Sequence, residues 1–216
     1  MKTVATPVGP ARVAVDAAAT SVATLVLGHG ARGGPDARDL EALARGLPSR
    51  GVTVVRVEQP WRLAGRAMAS PPPTLDIAWV AVLDDLALVE PVVVGGRSAG
   101  ARVACRTAAQ VGALGCVALA FPLRPPERPE KSRLDELANC PVPTLVVQGE
   151  RDPFGGPESF PTTYDVRGIR GADHSFRVLK GQDQSATLDE VVAIVGRWIL
   201  DLSGARSVQG GVGDST

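Results

Sequence analysis

Only two of the 216 residues are histidines, His29 and His174, so a proton shuttle working near neutral pH has two candidates. One serine sits where such a shuttle would be useful. In Val92-Val93-Val94-Gly95-Gly96-Arg97-Ser98-Ala99-Gly100 an apolar β-branched run leads into Gly-x-Ser-x-Gly, and Ala101–Gln110 continues with helical spacing. A serine at a sharp strand-to-helix turn is held in a strained backbone, and small residues two positions either side let helix and strand approach closely. Its hydroxyl is presented above the sheet. The amide of Ala99 lies at the helix N-terminus, where free N–H groups and the dipole favour developing negative charge. The motif alone also fits a strand-to-helix connection without catalysis; the flanking strand and helix favour the nucleophile.

A serine hydroxyl is a weak nucleophile at neutral pH and needs a base within hydrogen-bond reach. His174, in Gly171-Ala172-Asp173-His174-Ser175-Phe176, follows Ser98 on a loop between the last strand and the last helix, whereas His29 precedes it. The chain order nucleophile, acid, base therefore selects His174. The acid belongs at the end of the penultimate strand, where a carboxylate orients the imidazole and stabilises its charged form. Thr144–Asp152 offers Glu150 and Asp152 there. Asp152, beside Pro153 on the loop side of the turn, is preferred, with Glu150 as the alternative. Asp173, next to the base, shapes its own loop. Gly28-His29-Gly30-Ala31 is where a second oxyanion donor belongs, and that chemistry needs backbone rather than imidazole. The amide of Ala31 is assigned to it, with His29 fixing the loop.

The elements that must position these residues follow an alternating rhythm. Strands are expected at Thr24–Leu27, Val52–Val57, Val92–Val94, Cys116–Ala120, Thr144–Gln148 and Thr163–Val166, with an antiparallel edge strand in Val8–Val15. Several are almost wholly apolar, as in a parallel sheet covered on both faces. Leu40, Leu43, Ala44 and Leu47 recur at helical spacing with Gly51 as a stop, and Leu75–Val89 reads as a helix with Thr74 as its cap. Leu188, Val191, Val192, Val195, Trp198, Ile199 and Leu202 form one stripe, with Thr187 and Glu190 as a capping box. Pro122, Pro125, Pro126 and Pro129 exclude a regular element from Phe121–Glu130, which reads as an extended loop. The expected organisation is an α/β fold in one domain over residues 1–203, with a mobile tail over 204–216.

Lys and Arg number 23, and so do Asp and Glu, so no net field favours nucleic acid or a membrane surface. Nothing resembles a signal peptide or a spanning helix, and a cytoplasmic location is expected. Cys105, Cys116 and Cys140 match no zinc spacing and read as free thiols acting as small hydrophobes, with a reactive Cys105 as the alternative.

Together, Gly-His-Gly-Ala, Gly-Gly-Arg-Ser-Ala-Gly, Gln-Gly-Glu-Arg-Asp-Pro-Phe-Gly and Gly-Ala-Asp-His-Ser-Phe resemble the α/β-hydrolase superfamily. The likeness is greatest to its dienelactone-hydrolase-like branch, which includes the testis-expressed and NSL-complex hydrolase-like proteins. It spans Val22 to Leu202, with the blocks in the right order. The resemblance implies a mostly parallel sheet flanked by helices with little or no lid, no cofactor, and Ser98, Asp152 and His174 as nucleophile, acid and base. A small-molecule acyl substrate is the expected partner, and a serine hydrolase acting on a carboxylic ester the expected activity. An acyltransferase or thioesterase using the same residues, and a non-catalytic interaction module, are the alternatives. Arg32, where relatives often carry a smaller residue, together with Arg97 and Arg124 would favour an acidic group on the substrate.

Overall fold

The apolar runs near residues 25, 55, 93, 117 and 146 all form strands whose side chains alternate between two buried faces. The computed structural model describes residues 1–210. The strands are β1 (Lys2–Val4), β2 (Ala11–Asp16), β3 (Ala23–Gly28), β4 (Val52–Glu58), β5 (Val92–Arg97), β6 (Gly115–Leu119), β7 (Thr144–Gly149) and β8 (Asp165–Ile169). The helices are α1 (Arg38–Gly46), α2 (Pro60–Leu63), α3 (Pro72–Asp85), α4 (Ala99–Thr107), α5 (Leu134–Ala138) and α6 (Gln184–Gly210). The strands make one eight-stranded sheet in the order β1-β2-β4-β3-β5-β6-β7-β8. The pairs β1–β2 and β2–β4 are antiparallel and the remaining pairs parallel.

On one face Leu25, Leu27, Val117 and Val147 pack with Leu40 and Leu43 of α1 and Val195 and Ile199 of α6. On the other, Val26, Val94 and Val146 pack with Trp79 and Val82 of α3 and Val103 and Ala104 of α4. Burial on both faces explains why the central runs show no polar alternation. Each large side chain so buried contributes about 1.5–3 kcal/mol relative to exposure.

The chain leaves β3 through α1 to β4, then returns through α3 to β5 on the other side of β3. The carboxyl ends of β3 and β5 therefore flank a topological switch point, where open α/β sheets form a crevice. His29 and Ser98 each follow one of these strands, so both blocks emerge into that crevice.

Several boundaries differ from the sequence expectation. A turn closed by Gly9 N–H to the Thr6 carbonyl (3.2 Å) delays β2 until Ala11, and the three-residue β1 takes the sheet edge instead. The last strand starts at Asp165 because Thr163 and Tyr164 belong to a turn in which Tyr164 N–H reaches the Pro161 carbonyl at 3.2 Å. Thr74 lies inside α3, whose first turn is set by proline, with its fixed φ, and not by a side-chain cap. Asp183 caps α6 instead of Thr187: its Oδ1 accepts the Ser185 and Ala186 amides at 2.8 and 3.1 Å. The tail expected over 204–216 is helical as far as Gly210, where α6 ends; 211–216 lie outside the described residues. Among the described residues no helix is long and apolar enough to cross a membrane.

Candidate active site

Ser98 joins β5 to α4 with φ 54° and ψ −109°, a conformation that residues other than glycine seldom adopt. Its neighbours hold it there. Its N–H donates to the Leu119 carbonyl of β6 (3.0 Å), and its own carbonyl accepts the Arg102 N–H of α4 (3.2 Å). A Cβ on Gly96 would stand 2.5 Å from the Gly28 carbonyl, and one on Gly100 would strike the same atom. The two glycines thus let α4 lie directly against the end of β3.

The hydroxyl of Ser98 lies 3.0 Å from Nε2 of His174, and Nδ1 of that ring lies 2.7 Å from Oδ2 of Asp152. An ionised carboxylate only accepts, so Nδ1 carries the ring proton and Nε2 is left to accept from Ser98. Asp152 is buried, and its other bonds are made by neighbours: Gln148 Nε2 donates to Oδ2 (2.9 Å) and the Phe154 N–H to Oδ1 (2.8 Å). Gln148 also donates to the carbonyls of Phe121 (3.3 Å) and Gly155 (2.7 Å). Phe154 lies against the imidazole, ring centroids 4.4 Å apart. Glu150, the alternative acid, points elsewhere: it is exposed and accepts the Gly171 N–H at 2.9 Å. Asp173 Oδ1 accepts the amides of Ser175 (2.7 Å) and Arg177 (2.9 Å), closing the turn that carries the base.

Arg97 is not a free arm in the crevice. Its Nη2 donates to the His174 carbonyl (2.9 Å) and to Ser175 Oγ (2.6 Å), while Nε faces Oδ2 of Asp39 at 3.6 Å. Asp39, in the first turn of α1, is completely buried. Burial pushes its carboxyl pKa up, against the opposing pull of the Arg97 charge. Nothing in the local sequence marks Asp39 or Gln148, because their contacts are made across strands and loops.

The match to a protein-family model for the alpha/beta hydrolase domain extends over residues 21–200. The chain belongs to the α/β-hydrolase family. A lidless α/β serine hydrolase from Xanthomonas campestris superposes with a TM-score of 0.70 at 22% identity, covering 91% of this chain and 93% of that one. A dienelactone hydrolase from Anabaena variabilis gives 0.70 at 17% identity, with 93% and 95% covered. An α/β serine hydrolase homologue from Coxiella burnetii gives 0.68 at 18% identity, with 91% and 95% covered. No curated protein matches the chain.

In this α/β-hydrolase the loop after β3 closes on Ser98: a Cβ on Gly30 would lie 3.5 Å from Cβ of that residue. His29 is buried beneath that loop. Its Nδ1–H donates to the Gly30 carbonyl (2.9 Å), its Nε2 accepts the Gln59 N–H (3.2 Å), and the ring packs on Trp61. Burial lowers its pKa, with the Gly30 bond opposing. Ala99 opens α4, where its amide has no acceptor within the helix.

A cleft of about 520 Å³ opens over Ser98 and His174, with Ala31, Arg32, Pro125 and Phe154 in its walls. The proline-rich segment is thus part of the site and not only a connector. Arg124 is not: its side chain is exposed away from the cleft lining, while its N–H bonds the Phe154 carbonyl at 2.9 Å. Arg133 stands in the wall instead, anchored by Nη1 to the Pro122 carbonyl at 2.9 Å. Proline spacing hides that arginine, because the chain doubles back before α5. Among the described residues, the convergent cluster of potential metal ligands is Cys105, Cys116 and Cys140, none of which lines the cleft.

Proposed function

We propose that this α/β-hydrolase is a serine hydrolase that cleaves a small carboxylic ester through an acyl-enzyme on Ser98. The reading rests on one observation, the unbroken hydrogen-bond chain from Ser98 through His174 to buried Asp152. His174 Nε2 takes the hydroxyl proton as Oγ attacks the acyl carbon. The amides of Ala31 and Ala99 hold the developing oxyanion, a contribution of about 10²–10³ in turnover per donor. The imidazolium, stabilised by an Asp152 that stays ionised, then gives its proton to the departing alkoxide. Water repeats the sequence: it loses a proton to Nε2, attacks the acyl carbon, and the proton returns to Ser98 as the acid leaves.

Arg32 and Arg133 stand in the cleft wall with Glu127 as the acidic residue beside them, which favours an acyl or alcohol portion carrying a carboxylate. Arg97 contributes less to substrate binding, because its Nη2 is already engaged.

A fluorophosphonate probe should label the wild type and leave Ser98→Ala unmodified. Asp152→Asn should fall by about 10⁴ in turnover, since the amide favours the wrong imidazole tautomer. A folded wild type that resists the probe would sink the enzymatic reading in favour of an interaction module. A panel of short oxygen esters and thioesters, offered with water or an alcohol as acceptor, separates ester hydrolysis from thioesterase and acyltransferase activity. Faster turnover of thioesters, or transfer to alcohol outrunning hydrolysis, would replace the ester assignment.

A further inference from the structure

We propose that Arg97 and Asp39 form a strut that sets the position of the His174 loop over Ser98; this rests on the serine-hydrolase reading. Arg97 directly precedes the nucleophile, yet its guanidinium reaches the base's own carbonyl and the next side chain. Nucleophile and base are thereby tied together by a route that bypasses the imidazole. The fork needs an anchor at its other end, and Asp39 supplies one. Neither Asp39 oxygen has a partner with hydrogen-bond geometry, and its electrostatic support comes from Arg97 first, then from the amides of its own turn and the Arg38 charge. A buried carboxylate held so sparingly is costly to keep, and removing either charge strands the other. Lysine carries the charge but not the planar fork, so it cannot hold Asp39 and both loop acceptors together.

Arg97→Lys and Asp39→Asn should therefore fold but label more slowly with the fluorophosphonate, by on the order of 10–100-fold, as for a small misplacement of a reacting group. With ester substrate, kcat should carry the loss while KM stays within about twofold. The proton shared by His174 and Asp152 gives a second measurement independent of turnover. Its downfield resonance should be sharp in the wild type and in Ser98→Ala, and broadened in both strut variants. Wild-type labelling rates with an unchanged resonance in the variants would overturn the strut. An unlabelled wild type whose resonance still responds to the substitutions would overturn the serine-hydrolase reading and leave the strut standing.

A separate observation lies behind the sheet. Cys105 on α4, Cys116 on β6 and Cys140 after α5 come from three elements, yet their sulfurs all lie within 4.8 Å of one another. We infer that these thiols form a binding site for one soft, thiophilic d¹⁰ cation. Sulfurs bound at about 2.3 Å around a tetrahedral ion stand about 3.8 Å apart, and Cys105 and Cys116 are already 3.7 Å apart. With sulfur ligands alone the set suits zinc, cadmium or cuprous ions over hard oxygen-seeking cations. Cys140 is half-buried and provides the way in. The Thr144 hydroxyl stands at the outer side of the site, its one proton shared between the Val142 carbonyl at 3.0 Å and the Cys140 sulfur at 3.3 Å. Entry of the ion displaces the thiol protons to water, so binding weakens as pH falls.

Cadmium titration of the reduced full chain should give a sulfur-to-metal charge-transfer band that saturates at one equivalent with the intensity of three thiolates. Mass spectrometry should show Cys140, the accessible thiol, protected from alkylation by the bound ion. Cys140→Ser and Cys105→Val should each lose the saturable band without losing fluorophosphonate labelling. No saturable band in the folded wild type, or alkylation unaffected by cadmium, would overturn the site.

Discussion

The two halves of the candidate site are held by different physics. Ser98 is fixed from the backbone, between paired strands and with Gly96 and Gly100 pressed against the Gly28 carbonyl. Asp152 and His174 hang from loops at the β7–β8 edge and are aimed by side chains, chiefly Gln148, Arg97 and Asp173. Substitutions in the glycine frame around Ser98 should therefore fail by losing the fold, whereas those around Asp152 and His174 should fail by losing alignment.

The sharpest break separates chemistry from stability at one atom. Ser98→Gly should abolish labelling and lower turnover by about 10⁶. It should nonetheless raise unfolding free energy in urea by about 1 kcal/mol, because release of roughly 1–3 kcal/mol of backbone strain outweighs glycine's added freedom when unfolded. Gly100→Ala tests the steric half: a methyl against the Gly28 carbonyl should cost about 3 kcal/mol or more, read as a lower denaturation midpoint. Gln148→Leu tests the other half. It removes three hydrogen bonds and leaves Asp152 short of a donor, so turnover should drop about tenfold while stability falls by about 1–3 kcal/mol. If Gln148→Leu unfolded the protein as thoroughly as Gly100→Ala, the contrast between the halves would collapse.

The smallest effect concerns His29. Its folded pKa lies below its unfolded value, so below about pH 6.5 the unfolded chain binds a proton that the native state refuses. Stability from this group is complete above that pH and is lost as pH falls. His29→Gln should flatten the slope between about pH 7.5 and about pH 5.5 in urea titrations, by an amount within about 1 kcal/mol.

The same division decides what the sequence made legible. The Gly-x-Ser-x-Gly turn and the Gly28–Ala31 loop are short local patterns, and the sheet strands that carry them announce themselves by apolar runs. Glu150 and Asp152 part company in the turn after β7, closed by Asp152 N–H to the Gly149 carbonyl at 3.1 Å: Asp152 meets His174, and Glu150 meets the Gly171 amide. Arg97 does line the cleft, but a sequence shows only its charge and not the Ser175 hydroxyl or the buried Asp39 that engage it. Arg124, expected beside the substrate, lies outside the cleft lining while Arg133 stands in it, because the path of an irregular, proline-rich segment is set by bonds such as Arg133 N–H to the Leu123 carbonyl, which leave no periodic trace. The shifted β8 is an edge strand with Arg167 and Gly168 exposed, so it lacks the two-sided burial that marks its neighbours.

The segment from Pro125 to Glu127 forms part of the cleft wall yet lies outside every strand ladder. Its length and composition can change without moving Ser98, whose contacts run through β3, β6 and α4. The fold thereby keeps the cleft wall and the strand-to-helix turn on separate parts of the chain, so a change in one short stretch alters what the cleft admits while Ser98 keeps its place.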